Sequence, residues 1–218
     1  MKNIRAVIFD IDETLVDRKA AFLKLCDYLI DKYAKDYPFQ MSRDELIKYL
    51  VKVDKNGYSP LEDIIPKLDP VWKLPLSPAE FVQERNSIFG KLTVPYPKTY
   101  EVLEALKGKY ILGVITNGFS HVQREKIITV KIESYFEDIL VSGDVDYSKP
   151  DPRIFALSCR RLGVEPEEAV YVEDHYRNDI TGALGAGITP IWINNDLQEH
   201  PEYSGIRVSS LGEILNYL

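Results

Sequence analysis

Six short, mainly apolar runs recur along the chain, at 4–9, 111–116, 138–142, 169–173, 189–194 and 205–208. Their length and flanking polar turns predict strands, and most of the gaps between them carry helical patterning. Such alternation predicts an α/β fold with a doubly wound, mostly parallel sheet. One intervening helix is sharply marked over 152–162, with Asp151 as N-cap, Pro152 at its first position and Gly163 just past its end. The segment 178–186 is a poorer helix former, because it holds Gly182 and Gly185 and is followed by Gly187. Glycines there suit close packing on the sheet.

Between the first and second runs lies a long stretch, 16–93, with no strong strand pattern. Ala21, Phe22, Leu25, Cys26, Leu29, Ile30 and Tyr33 fall on one helical face. Ser42 with Glu45 reads as a capping box that opens a helix running to about Val53. Ser77 with Glu80, and Pro78 between them, opens another running to about Phe89. The expected division is a sheet domain from 1–15 and 94–218, with an all-helical module at 16–93 inserted into it. The module's Tyr28, Tyr33, Tyr37, Tyr49, Tyr58 and Trp72 read more readily as packing than as ligand contacts.

Composition narrows the partners. The chain has 218 residues, enough for a sizeable core, and its 45% hydrophobic and 28% charged content is ordinary for a globular protein. A net charge of −7 argues against a nucleic-acid polymer, which demands clustered Lys and Arg. It leaves a small phosphorylated substrate open, since local cations can outweigh the global sign. No apolar stretch approaches a membrane span, and the start runs directly into a strand with no signal-like segment. Cys26 and Cys159 suggest reduced thiols and a cytoplasmic protein, a monomer or a homodimer.

The polar residues that follow four of the apolar runs are the candidate chemistry. Asp10 and Asp12 stand two apart where the first run ends. Like charges so close need a cation, so the pair fits a metal, a nucleophile or both, while a capped turn is the plain structural alternative. The second run ends in Thr116-Asn117-Gly118, where a hydroxyl and backbone N–H groups before a helix can hold an anion. Ser120 and Gln123 read as a capping box just beyond it. Lys149 lies in the loop Ser148-Lys149-Pro150-Asp151, kept out of helical geometry by Pro150, although a lone lysine is usually solvated. The fourth run ends in Glu173 and Asp174, with Asp179 five residues on. For Glu173 a solvated helix entry is the simpler expectation.

Taken in order, these segments resemble the four motifs of the haloacid dehalogenase superfamily, and the resemblance spans nearly the whole chain. It implies a Rossmann-like core with a helical cap inserted between the first two motifs. It further implies a phosphatase that uses Mg²⁺, with Asp10 as nucleophile and Asp12 as general acid and base. Thr116, Asn117, Gly118 and Lys149 would bind the transferring group, and Asp10, Asp12 (through its backbone carbonyl), Asp174 and Asp179 would serve the metal. Thr14 could then hydrogen-bond Asp12. Many relatives have glycine where this chain has Glu173. Asp12 argues against dehalogenation, and the surface-like spacing of Lys24, Lys32, Lys35, Lys48, Lys52 and Lys55 argues against a lysine-dependent phosphonatase. A phosphosugar mutase and a non-catalytic metal-binding member are the remaining alternatives. The expected substrate is a small phosphorylated metabolite, with nucleoside monophosphates among the candidates.

Overall fold

In the computed structural model, residues 3–194 and 200–218 are described. The chain divides into two compact units, one made of Met1–Asp17 and Pro95–Leu218 and the other of Arg18–Val94.

The first unit is built on a six-stranded sheet: β1 (Ala6–Phe9), β2 (Ile111–Thr116), β3 (Asp138–Val141), β4 (Ala169–Glu173), β5 (Thr189–Ile193) and β6 (Ile206–Val208). Their order is β3-β2-β1-β4-β5-β6, and each of these neighbouring strands pairs in parallel. Both faces of the sheet are covered. On β1, Val7 and Phe9 pack with Val102, Leu103 and Leu106 of one cluster, whereas Ala6 and Ile8 join Ile154, Phe155 and Ala183 of another. That double burial is why the strands read as unbroken apolar runs in the sequence. Each large aliphatic side chain so buried contributes about 1.5–3 kcal/mol. The alternation of β1 between two cores makes a one-residue slip of its register costly.

In chain order the helices are α1 (Arg18–Tyr33), α2 (Arg43–Asp54), α3 (Ile64–Leu68) and α4 (Pro78–Ile88) in the second unit, then α5 (Thr99–Leu106), α6 (Ser120–Thr129), α7 (Pro152–Leu162) and α8 (Thr181–Gly185) in the first. Ser42 and Ser77 make the capping boxes expected of them. Asp151 caps α7, and Gly163 ends it at φ 67°, the left-handed geometry glycine tolerates best. Ahead of α8 the chain widens into a π-helical turn over Tyr176–Ile180. Gly182 packs on the Phe155 ring of α7, where a Cβ would stand 2.7 Å from it.

The second unit is all-helical. The α1 face expected from periodicity is buried at Ala21, Phe22, Leu25, Cys26, Leu29 and Ile30. It is also joined by Arg18, whose guanidinium meets both carboxylate oxygens of Asp54 at 2.8 and 3.0 Å. Trp72 is buried and donates its indole N–H to the Tyr37 carbonyl at 2.7 Å, a packing role. The chain leaves the sheet unit after Asp17 and returns at Pro95, which pairs with Val16 in an antiparallel bridge. Among the described residues, no helix is long and apolar enough to cross a membrane.

Candidate active site

β1 lies at the centre of the sheet, with β2 on one side and β4 on the other, so the connections run in opposite directions from it. Open parallel sheets place their ligands at the carboxyl end of such a switch point. Asp10 follows β1 directly, and its N–H donates to the Val172 carbonyl of β4 at 3.1 Å. Thr116 ends β2 and Glu173 ends β4, which brings three of the four candidate motifs to the same edge.

Lys149 joins them from the loop before α7. Its ammonium is buried and lies 2.9 Å from Asp10 Oδ1, 2.5 Å from Asp179 Oδ1 and 3.8 Å from Glu173 Oε2. The backbone of Lys149 is fixed from outside: Asn117 Nδ2 donates to its carbonyl and Asn117 Oδ1 accepts from its N–H, both at 3.0 Å. Burial alone would lower the lysine's pKa, but Asp10 and Asp179 outweigh it and hold the ammonium charged far above its ordinary range.

The acids respond in the opposite sense. Burial raises Asp10, and Asp179 and Asp12 add to that while Lys149 opposes it. Glu173 is pushed well up, first by burial and then by Asp179. Burial, followed by the charges of Asp10 and Glu13, raises Asp174 to about 8. Ligand oxygens of Asp10, Glu173 and Asp174 all lie within 4.8 Å of one another, and the buried Oε2 of Glu173 accepts no hydrogen bond. An all-carboxylate set of this kind suits a hard divalent cation, which would neutralise the charges that now oppose ionisation.

The expectation for Glu173 is therefore corrected. It is fully buried within the acid cluster, because β4 carries it beneath the loops and Lys149 faces it. Asp179 lies beside the three-acid group and pairs with the lysine, and it is also 3.2 Å from the hydroxyl of Tyr171. Thr14 Oγ1 is buried with no hydrogen bond, so it does not fix Asp12.

Around Thr116 the local pattern also misleads. Ser120 does not cap α6: the N-cap position falls on Phe119, with no side-chain bond. The Gln123 amide that would have completed the box instead donates to Thr116 Oγ1 at 2.6 Å and to Asp12 Oδ2 at 3.2 Å. With Thr116 Oγ1 accepting there, its own hydrogen is left to donate elsewhere. Gly118, at φ 141°, has its N–H engaged by Ser142 Oγ at 3.0 Å, so it is not available as an anion donor. A Cβ on Gly143 would lie 2.7 Å from the Gly118 carbonyl, which makes this meeting of loops dependent on glycine.

Two side chains were missed by sequence reasoning. Tyr171 reads as one more strand residue, yet its hydroxyl accepts from Lys149 Nζ at 2.9 Å. Lys126 lies outside all four motifs, yet it is buried and lies 2.6 Å from both oxygens of Asp12. A signal for Lys126 was present, since it occupies the middle of the stripe Val122-Lys126-Val130, whose other members are buried.

Comparison with known proteins agrees with this geometry. Residues 7–193 match the family model of haloacid dehalogenase-like hydrolases. Glyceraldehyde 3-phosphate phosphatase from Methanothermobacter thermautotrophicus is 32% identical over 97% of this chain and 96% of its own. Human N-acylneuraminate-9-phosphatase is 30% identical over 89% of this chain and 84% of its own. Among solved structures, the magnesium-bound HAD-hydrolase YfnB from Bacillus subtilis superposes with a TM-score of 0.80 at 22% identity, covering 100% of this chain and 99% of that one. With its four motifs gathered at one sheet edge and a family match over most of its length, the chain belongs to the haloacid dehalogenase-like hydrolases.

Proposed function

We propose that the protein is a Mg²⁺-dependent phosphatase of a small phosphorylated metabolite, working through an aspartyl-phosphate on Asp10. The observation that carries this reading is a buried lysine 2.9 Å from Asp10, beside a group of three carboxylates at the same strand ends. The enzyme is a phosphoric monoester hydrolase, as its curated relatives are by name.

In the first step an Asp10 oxygen attacks phosphorus. The ester P–O bond breaks, and the departing oxygen takes a proton from Asp12. Water then attacks the phosphoenzyme and gives a proton back to Asp12, and the bond to Asp10 breaks to release phosphate. Thr116 and Lys149 donate to phosphoryl oxygens as charge gathers on them. Asp10 and Asp174, with the Asp12 carbonyl and with Glu173 alongside, would hold the Mg²⁺, which supplies positive charge to the phosphoryl group. Asp179 keeps Lys149 aimed. The helical unit Arg18–Val94 is read as a cap that limits water and selects the substrate. Free, buried Cys26 and Cys159 suit a reducing cytoplasm.

The test is phosphate release by the purified protein, with Mg²⁺ and after chelation. The panel includes glyceraldehyde 3-phosphate, N-acylneuraminate 9-phosphate and nucleoside monophosphates. Asp10→Asn is expected to fold and to release no phosphate from any of them. Turnover by that variant above a vector-only control would remove Asp10 as nucleophile.

A further inference from the structure

Lys126 and Gln123 are three residues apart on α6 and so share a face, and both are almost fully buried at 3% exposure. The lysine brings its ammonium to 2.6 Å from each oxygen of Asp12. Gln123 Nε2 reaches Asp12 Oδ2 at 3.2 Å and Thr116 Oγ1 at 2.6 Å. Asp12 itself is still 22% exposed at the side chain, so these contacts hold it without sealing it from solvent. A buried ammonium must keep an acceptor, and an ammonium near both oxygens fixes where the carboxylate lies. An acid–base group misplaced by an ångström loses much of its advantage.

We propose that Lys126 is a positioning residue: it aims the Asp12 carboxyl at the oxygen leaving phosphorus. Gln123 ties that clamp to the phosphoryl-binding Thr116, so that one face of α6 sets both groups. The inference rests on Asp12 being the acid and base. Neither Lys126 nor Gln123 is given a bond to phosphorus, to the leaving oxygen or to the attacking water. They act through Asp12 and Thr116.

The consequence is a loss that depends on the leaving group. An ester of an acidic phenol departs without a proton, whereas phenyl phosphate needs one. In the full-length enzyme with Mg²⁺, kcat/KM reports the steps up to formation of the phosphoenzyme. It is measured for phenyl, 4-nitrophenyl and 2,4-dinitrophenyl phosphate in wild type, Asp12→Asn, Lys126→Met, Lys126→Gln and Lys126→Arg. Lys126→Met is expected to lose about 100-fold on phenyl phosphate and only a few-fold on the dinitrophenyl ester. Lys126→Arg should recover part of the loss, because it keeps the charge and can span a carboxylate. Lys126→Gln carries the same test should the methionine variant not fold, as judged by circular dichroism. An equal loss on all three esters, or no loss on any, would overturn the positioning role. Asp12→Asn separates the two levels. If it shows the leaving-group dependence and the Lys126 variants do not, this inference alone fails. If Asp12→Asn shows none, the acid–base reading fails and the inference with it.

Discussion

Lys149 donates a 2.9 Å hydrogen bond to the hydroxyl of Tyr171, a side chain rising from the middle of a fully buried strand. The same hydroxyl has the Ile115 carbonyl at 3.1 Å and Asp179 Oδ1 at 3.2 Å as acceptors for its single hydrogen. The sheet interior thus reaches up and fixes the cation of the site. Tyr171→Phe should cost about 1–2 kcal/mol of stability, because it removes a buried acceptor and a buried donor at once. Turnover should fall about tenfold through misaimed charge, since Asp10 and Asp179 still retain the lysine. Urea unfolding and steady-state phosphate release check the two numbers separately.

Substitution of the lysine itself is more severe. Lys149→Ala leaves Asp10, Asp179 and Glu173 facing one another without their counter-ion and should lower kcat by about 10²–10³-fold. Lys149→Arg should recover little, because a planar guanidinium is too broad for an ammonium held between Asp10, Asp179 and Tyr171. Near-normal kinetics in the alanine variant would return Lys149 to an ordinary structural role.

The acid cluster predicts a pH dependence with a definite sign. Asp174 is raised from 3.8 to about 8, chiefly by burial and then by Asp10 and Glu13, and Glu173 shifts in the same direction. A carboxyl raised in the folded state binds more protons folded than unfolded. Its stabilising contribution is complete below about pH 4 and is lost as the pH rises towards about 8. The chelated protein should therefore melt at a lower temperature at about pH 8 than at about pH 5. Magnesium, which favours the ionised acids, should raise the melting temperature more at the higher pH. Calorimetry with and without chelator reads both effects. An equal magnesium increment at the two pH values would sink the three-acid site.

The helical unit has its own buried charge. Arg18 and Asp54 form a two-pronged pair with both side chains under a tenth exposed, and Asp54 also accepts from Gly57 N–H at 2.8 Å. Arg18→Met should destabilise this unit by about 3 kcal/mol, because it strands a buried carboxylate. Adding Asp54→Leu should restore part of that loss. Denaturant unfolding of the two variants decides it, and a double variant no more stable than the single one would show that the arginine acts by packing alone.

Much of this was legible in the chain because the cause was local. Strands buried on both faces leave apolar runs, and the boxes at Ser42 and Ser77 need only four adjacent residues. The Ser120 box failed because Gln123 had better partners in Thr116 and Asp12, groups distant in sequence. Glu173 read as a solvated loop acid because nothing beside it announces that Lys149 will face it across the strand ends. Tyr171 was hidden for the same reason, and the stripe Val122-Lys126-Val130 marks Lys126 as buried without naming Asp12 as its partner. A strand tyrosine and a helix lysine become parts of a site only when register and helix docking choose their neighbours.

The sheet order has one more consequence, for the nascent chain. β1 is made first, but its neighbours start at Ile111 and Ala169. All four of its side chains are apolar and buried in the finished protein. At ordinary rates of synthesis this strand waits on the order of ten seconds for its first partner. Meanwhile Arg18–Val94 emerges with all its internal contacts already available. During translation the inserted helices are therefore the earliest part able to fold, and the strand that will carry the nucleophile is the longest-exposed sticky segment, the one a ribosome-associated chaperone has most reason to shield.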